Sequence, residues 1–442
     1  MSMSMPTTAL DRARRKAYVR ILPLLFVCYA IAYIDRANVA LAKLSMAEDM
    51  PAFTDDVIGF GAGIFFLGYF LLEIPGTLIV ERWSARKWIS RIMITWGVMA
   101  ALTARVTTPN QFYVVRFLLG LAEAGFFPGV IVYLTHWFPA RDRSRALAWF
   151  LIATPVAQIV SPKIINEMLK IGADGRPPLF GLVGWQWTYI GWGIPAVVLG
   201  IVVLSYLTDR PGQARWLDPD EREALEAELA REKANRRGDG HMRVRDALRH
   251  PKVVALAAAY FMVVTGNYGI EFFLPSILEN WYNLKLDKLT WLLVLPPIGS
   301  LLGQLAIGWN SDRTNERRLH TAGPIYLAAA SLLALSALDA PPLWLTVALF
   351  IAALTGLKAY LPAFWTLPSL FLTEAAAAGS IGLINSVGNL GGFVGPYLMG
   401  KLKVNTGSYN NGLLILAISL AGSATLILVA KLGRREAEKL PQ

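Results

Sequence analysis

The chain has 442 residues, of which 55% are hydrophobic and only 17% charged, with a formal net charge of +11 and one cysteine. With a mean hydropathy of +0.45, this composition excludes a soluble catalytic domain and describes a membrane protein. The basic excess is scattered over loops and span ends, which argues for a topology signal and against nucleic-acid binding, and the single Cys28 allows no internal disulfide and reads as packing.

Stretches of about 20 apolar residues, long enough to cross a bilayer as helices, run at 21–42, 57–80, 88–107, 111–135, 146–170, 185–207, 252–276, 290–309, 321–338, 342–368, 378–400 and 411–431. These are spans 1 to 12 of an all-α membrane protein. The first is too long for a signal peptide and ends in charges, without a small-residue cleavage site, so it stays as span 1. Basic residues cluster before span 1 (Arg12, Arg14, Arg15, Lys16, Arg20), between spans 2 and 3 (Arg82, Arg86, Lys87, Arg91), 4 and 5 (Arg141, Arg143, Arg145), 6 and 7, and 8 and 9 (Arg313, Arg317, Arg318), and after span 12. The positive-inside rule then puts both termini in the cytoplasm. The loop between spans 10 and 11, with Glu374 and no base, is the exception.

Span 1 carries Asp35 and Arg36 in mid-stretch. A charge at that depth costs several kcal/mol or more unless it faces a bundle interior or a watery cavity, so it points to a functional site; the plainer alternative is a structural ion pair between neighbouring helices. In span 4, Arg116 and Glu123 are two turns apart and share a face. Arg116 has the alternative of simply pairing with Glu123 or Asp35. On span 5, Thr154 and Gln158 are weaker candidates and Lys163 can snorkel outward, while His136 ends span 4 as a loop contact. Between Thr208 and Lys252 the chain turns polar, and Pro219 to Lys233 has the composition of a short amphipathic helix with a solvated charged face. This divides the chain into 1–207, a linker 208–251, and 252–442. In the second half, Glu271 lies in span 7, and Lys358 lies midway along span 10, seven residues before Trp365 and so on its side of one helix. A Lys358 to Glu271 structural pair and a packing role for Trp365 are the plainer readings of those residues.

The two halves look alike. GTLIVERWSARK (Gly76 to Lys87, with Glu81, Arg82 and Arg86) answers to GWNSDRTNERR (Gly308 to Arg318, with Asp312, Arg313 and Arg317), and such repeats build transporters whose site lies at the midplane between halves. No metal-ligand cluster, nucleophile triad or phosphate-binding loop stands out, so no enzyme, cofactor or metal is expected.

The second copy resembles the loop signature of the major facilitator superfamily, and the first is a more degenerate version. YIDRANV (Tyr33 to Val39), FFLGYFLLEIPG (Phe65 to Gly76), RFLLGLAEAGFFPGVIVYLTHWFP (Arg116 to Pro139), LTDRP (Leu207 to Pro211), YGIEFFLP (Tyr268 to Pro275) and INSVGNLGGFVGP (Ile384 to Pro396) are similar to its anion:cation symporter branch. The resemblance implies twelve helices in two six-helix halves and import of a small organic anion with protons by alternating access. It implies Asp35 and Glu123 as proton carriers, Arg36 as the grip on the substrate carboxylate, and Tyr33, Tyr69, Asn385 and Trp365 as substrate contacts, with Arg116 and Lys358 as further candidates. Glu81, Arg82, Arg86, Asp312, Arg313 and Arg317 become a cytoplasmic gating motif. Two cations and several aromatics favour a dicarboxylate such as phthalate, with sugar acids (hexuronate, galactonate) or tartrate as the alternative and a drug exporter or channel behind them. A monomer in the bacterial inner membrane, with lipid around it, is the expected setting.

Overall fold

The structure, a computed structural model, describes residues 8–173, 175–235, 250–314, 316–338, 340–368 and 374–430. Spans 1 to 3 are the single helices α1 (Ala9–Asp49), α2 (Asp55–Arg82) and α3 (Ala85–Thr103). Span 4 is α4 (Pro109–Glu123) and α5 (Phe126–Trp137); span 5 is α6 (Ala140–Leu151) and α7 (Ala153–Leu169); span 6 is α8 (Gly184–Tyr206). The linker holds α9 (Pro219–Asn235). Spans 7 to 9 are α10 (Pro251–Tyr282), α11 (Leu286–Thr314) and α12 (Arg318–Leu338). Span 10 is α13 (Leu343–Ala359) with the short α14 (Leu361–Phe364), span 11 is α15 (Glu374–Asn389) and α16 (Gly391–Thr406), and span 12 is α17 (Asn410–Val429).

Local chemistry sets several of these ends. Thr8, Thr54, Ser84 and Thr108 cap α1, α2, α3 and α4 by accepting the backbone N–H three residues on. Span 4 breaks where Gly125 takes a left-handed φ of 82° that residues with a Cβ rarely adopt. Among the described residues, ten segments are long and apolar enough to cross a membrane. The two expected spans outside that set are less apolar: Arg86, Lys87 and Arg91 load the start of the 19-residue α3, and Ser380, Asn385, Ser386 and Asn389 with nearby glycines dilute span 11.

Span pairs pack in a pattern that repeats after six: 3 on 6 and 9 on 12, 2 on 4 and 8 on 10, 1 on 5 and 7 on 11. Glycines permit the closest crossings. A Cβ on Gly97 would stand 2.5 Å from the Gly193 carbonyl oxygen of span 6, and small residues are what let membrane helices approach this closely. Between the halves, span 2 packs on span 11, span 5 on span 8 and span 1 on span 7. At the first of these, a Cβ on Gly59 would meet the Pro396 carbonyl oxygen at 2.5 Å.

The linker helix is more than a solvated face. Lys16 reaches Glu221 at 2.7 Å, Arg12 reaches Asp220 at 2.6 Å, and Glu221 is fully buried between α9 and α1. Arg14 also bonds Asp142 at the start of α6 at 2.5 Å, and Arg143 bonds Glu232 at 3.0 Å. The linker thereby docks on the first half.

Gly97→Ala should destabilise the protein by about 1–3 kcal/mol, because the added methyl overpacks a backbone crossing. Gly323→Ala in α12, where nothing stands within 4 Å of the new Cβ, should be near neutral. Thermal unfolding in detergent micelles compares the two.

Candidate functional site

The site is built around charges buried in the bundle, and most of them are paired. On α1, Tyr33 and Arg36 are three residues apart and face the other half, whereas Asp35 points back into its own. Arg36 holds Glu123 with its Nε at 2.6 Å and its Nη2 at 2.5 Å from Oε1. Glu123 is the last residue of α4, set there by the Gly125 break, and is 1% exposed. The rings of Tyr69 and Phe65 on α2 lie 5.3 and 5.7 Å from the Arg36 guanidinium, a cation–π arrangement that holds it in place. Asp35 is equally buried and accepts the indole N–H of Trp96 at 2.8 Å. The two neighbouring charges of span 1 thus have separate partners.

Arg116 departs from its plainer reading. It is buried, donates its Nε to the Gly61 carbonyl at 3.3 Å and lies 5.0 Å from the Phe65 ring, with no hydrogen-bond partner on either terminal nitrogen. It is paired with neither Glu123 nor Asp35.

Across the interface, Lys358 of α13 meets Glu271 of α10 at 2.8 Å. Glu271 also accepts from the Tyr33 hydroxyl at 3.3 Å and from Gln158 Nε2 at 3.1 Å, and Gln158 donates to the Tyr33 oxygen at 3.0 Å. Tyr33, Arg36, Gln158, Tyr268 and Glu271 line one cavity between the halves. The expected Lys358 to Glu271 pair therefore forms, and Gln158, a weak candidate in the sequence, is drawn fully in. Thr154 is not: its hydroxyl bonds the Leu151 carbonyl of its own span.

Lys358 is the last-but-one residue of α13, and Trp365 follows the short α14 after Tyr360, whose backbone stays helical at φ −71° and ψ −24°. Trp365 packs edge-on against Tyr260 at 5.0 Å. Asn385 of α15 gives its amide to Glu73 of α2 at 2.6 Å, and Asn389 adds a bond at 3.3 Å. Glu73 is 3% exposed and was overlooked. The rule that singled out Asp35, a carboxylate inside an apolar span, would have found it.

In the loop motif, the Ser84 hydroxyl and the Arg86 backbone N–H bond Asp209 at the end of span 6 at 2.7 and 3.0 Å, and the Arg86 guanidinium reaches the Leu204 carbonyl at 3.3 Å. Arg317 donates to the Ser311 hydroxyl at 2.9 Å, and Arg313 lies over the Trp309 ring. The side chains of Glu81, Arg82 and Asp312 lie outside the described residues. Lys163 is half exposed beside Glu167, as a snorkelling lysine would be. Among the described residues, the bonds that join the halves include Asn385 with Glu73 and Tyr33 with Glu271. They continue toward the Met50–Thr54 turn through Phe66 with Tyr268, Phe60 with Phe393, Tyr409 with Asp55 and Lys170 with Asp287.

The sequence profile of the Major Facilitator Superfamily matches residues 25–396. The chain belongs to this superfamily. Its relatives include a protein named "Putative tartrate transporter" from Agrobacterium vitis, 41% identical over 95% of this chain and 91% of that one. A "Quinolone resistance transporter" from Acinetobacter baumannii is 37% identical over 96% of both chains. Among solved structures, the inward open conformation of the xylose transporter XylE from E. coli superposes with a TM-score of 0.75 at 13% identity, covering 96% of this chain and 98% of that one; at that identity the likeness concerns the fold alone. This member of the superfamily is a multi-pass membrane transporter and not an enzyme.

Arg36→Ala should destabilise the protein by about 3–5 kcal/mol, since it leaves Glu123 buried without its counter-charge, and adding Glu123→Ala should recover much of that loss. Unfolding of the two single variants and the double variant in detergent, read as a cycle, checks the pair.

Proposed function

We propose that the protein imports a small organic acid anion together with protons by alternating access. The observation that carries this reading is the buried Arg36–Glu123 pair on a cavity between the two halves. An arginine fork suits a carboxylate, but here a protein carboxylate already occupies it. A substrate carboxylate can take the guanidinium only by releasing Glu123, and a released carboxylate in a buried site is stabilised by a proton. Anion and proton therefore bind together, which is what symport requires. Asp35, whose Oδ1 has no hydrogen-bond partner, is the second proton carrier.

The substrate is a dicarboxylate on this reading, with its second carboxylate at Lys358 and its body against Tyr33, Tyr69, Trp365 and Asn385. Both phthalate and tartrate satisfy two anchors. The aromatic lining favours phthalate, and the name of the 41% identical relative favours tartrate. Sugar acids are the next alternative. The name of the quinolone relative favours a drug exporter, yet an exporter of bulky drugs has less use for two buried cations. Residues 1–207 and 252–442 are the moving halves, 208–251 links them, and Arg116 steadies Phe65 beside the site. With both termini cytoplasmic, the joins between the halves lie on the outer side of the site, so the conformation faces inward. The setting is a monomer in the bacterial inner membrane, with the two loop motifs as the cytoplasmic gate.

Purified protein in liposomes should accumulate radiolabelled phthalate or tartrate under a pH gradient and saturate with concentration. Glu123→Gln and Asp35→Asn should abolish that uphill accumulation while substrate exchange survives; parent-like accumulation in both would remove the coupling assignment. Arg36→Ala should lose affinity by more than a hundredfold, in line with about 3–5 kcal/mol for breaking a buried pair. Arg36→Lys should restore only part of it, because an ammonium cannot make the fork.

A further inference from the structure

Glu271 is the acceptor on which donors from both halves converge: the ammonium of Lys358 from α13, the amide of Gln158 from α7 and the hydroxyl of Tyr33 from α1. An ammonium, a primary amide and a phenol around one point make a receptor for a carboxylate. In this structure the protein's own side chain fills it. The arrangement has a counterpart in the first half, where Arg36 is filled by Glu123. Each half thus pairs one cation with one carboxylate of its own, and Arg36 and Glu271 line the cavity.

We propose that Glu271 stands in for the second carboxylate of a dicarboxylate substrate and takes up a proton when that carboxylate displaces it from Lys358. A dicarboxylate then moves with one proton more than a monocarboxylate does on the same protein. The inference rests on the symport reading above and concerns a carboxylate that reading leaves unused.

Charge balance gives the reason. The titratable and charged groups that face Glu271 are Lys358 from α13, Tyr33 and Arg36 from α1 and Tyr268 from its own helix, while α7 contributes the neutral Gln158 and α11 only Leu293 and Pro297. Arg36 is committed to Glu123 or to the first substrate carboxylate, so among the described residues that face Glu271 the cation left is Lys358. When the second substrate carboxylate reaches Lys358, two carboxylates share one ammonium, and the surplus negative charge has no partner in a poorly hydrated site. A proton from the open aqueous side converts Glu271 to the acid. Its carbonyl oxygen still accepts from Gln158 and Tyr33, and its O–H can donate to the substrate carboxylate. On the other side of the membrane the substrate leaves, Glu271 returns its proton to water, and the Lys358–Glu271 pair re-forms. A monocarboxylate leaves that pair intact.

The test counts protons per substrate in proteoliposomes from the potential at which net flux reverses. Tartrate serves as the dicarboxylate, threonate as its monocarboxylate analogue with one carboxylate replaced by a hydroxymethyl group, and phthalate as a second dicarboxylate. The parent should carry one proton more with tartrate or phthalate than with threonate, so that all three move the same net charge. In Glu271→Gln the dicarboxylate count should fall by one and the threonate count stay unchanged. Equal proton counts for the two substrate types in the parent overturn the inference, as does an unaltered tartrate count in Glu271→Gln. Should that variant fail to fold, the parent comparison decides. If threonate is not carried, the tartrate or phthalate count in the parent against the variant decides. If the parent accumulates neither dicarboxylate, the symport reading for dicarboxylates falls, and the inference with it.

Discussion

A charge buried in a helical bundle must be neutralised where it stands, and the centre of this protein is organised around that constraint. Arg36 has Glu123, Lys358 has Glu271, Asp35 has the Trp96 indole, and Glu73 has the amides of Asn385 and Asn389. Desolvation makes each group costly alone, and the low dielectric that imposes the cost also strengthens each bond once it forms. On the function proposed above, Glu123 and Glu271 hold the places that the carboxylates of a substrate would take. On that proposal selectivity and coupling would share one origin, because an entering anion would replace a carboxylate and the replaced carboxylate would lose its charge.

Helix ends lie beside one member of three of these pairings. Glu123 ends α4 at the Gly125 turn, Lys358 lies one residue from the end of α13, and Asn385 and Asn389 lie in the last turns of α15 before the break at Leu390. Helix ends inside the membrane leave backbone groups that need partners, and they release side chains from the strict 3.6-residue register. Away from the site, glycine crossings such as Gly97 on Gly193 hold spans close enough for their backbones to touch. The bundle is rigid where helices cross and adjustable where they break.

The two halves are alike in packing but not in their surroundings. Span pairs repeat after six, whereas the linker helix α9 is bound to the first half by Arg12, Lys16 and Arg143.

Composition and apolar span length were enough to determine a multi-pass helical membrane protein with an internal repeat, because lipid demands long uninterrupted apolar stretches and tolerates little else. The same demand made Asp35, Arg36, Glu123, Glu271 and Lys358 stand out, and Glu73 was equally visible to it. Partner choice was not legible. That Arg36 rather than Arg116 holds Glu123 and that Gln158 and Tyr33 converge on Glu271 follow from the helix break at residues 124–125 and from the rotation of neighbouring spans. The span reading assumed an unbroken 3.6-residue period through each stretch. Which charge meets which is decided by contacts between residues tens to hundreds of positions apart, and only the packed bundle brings them together.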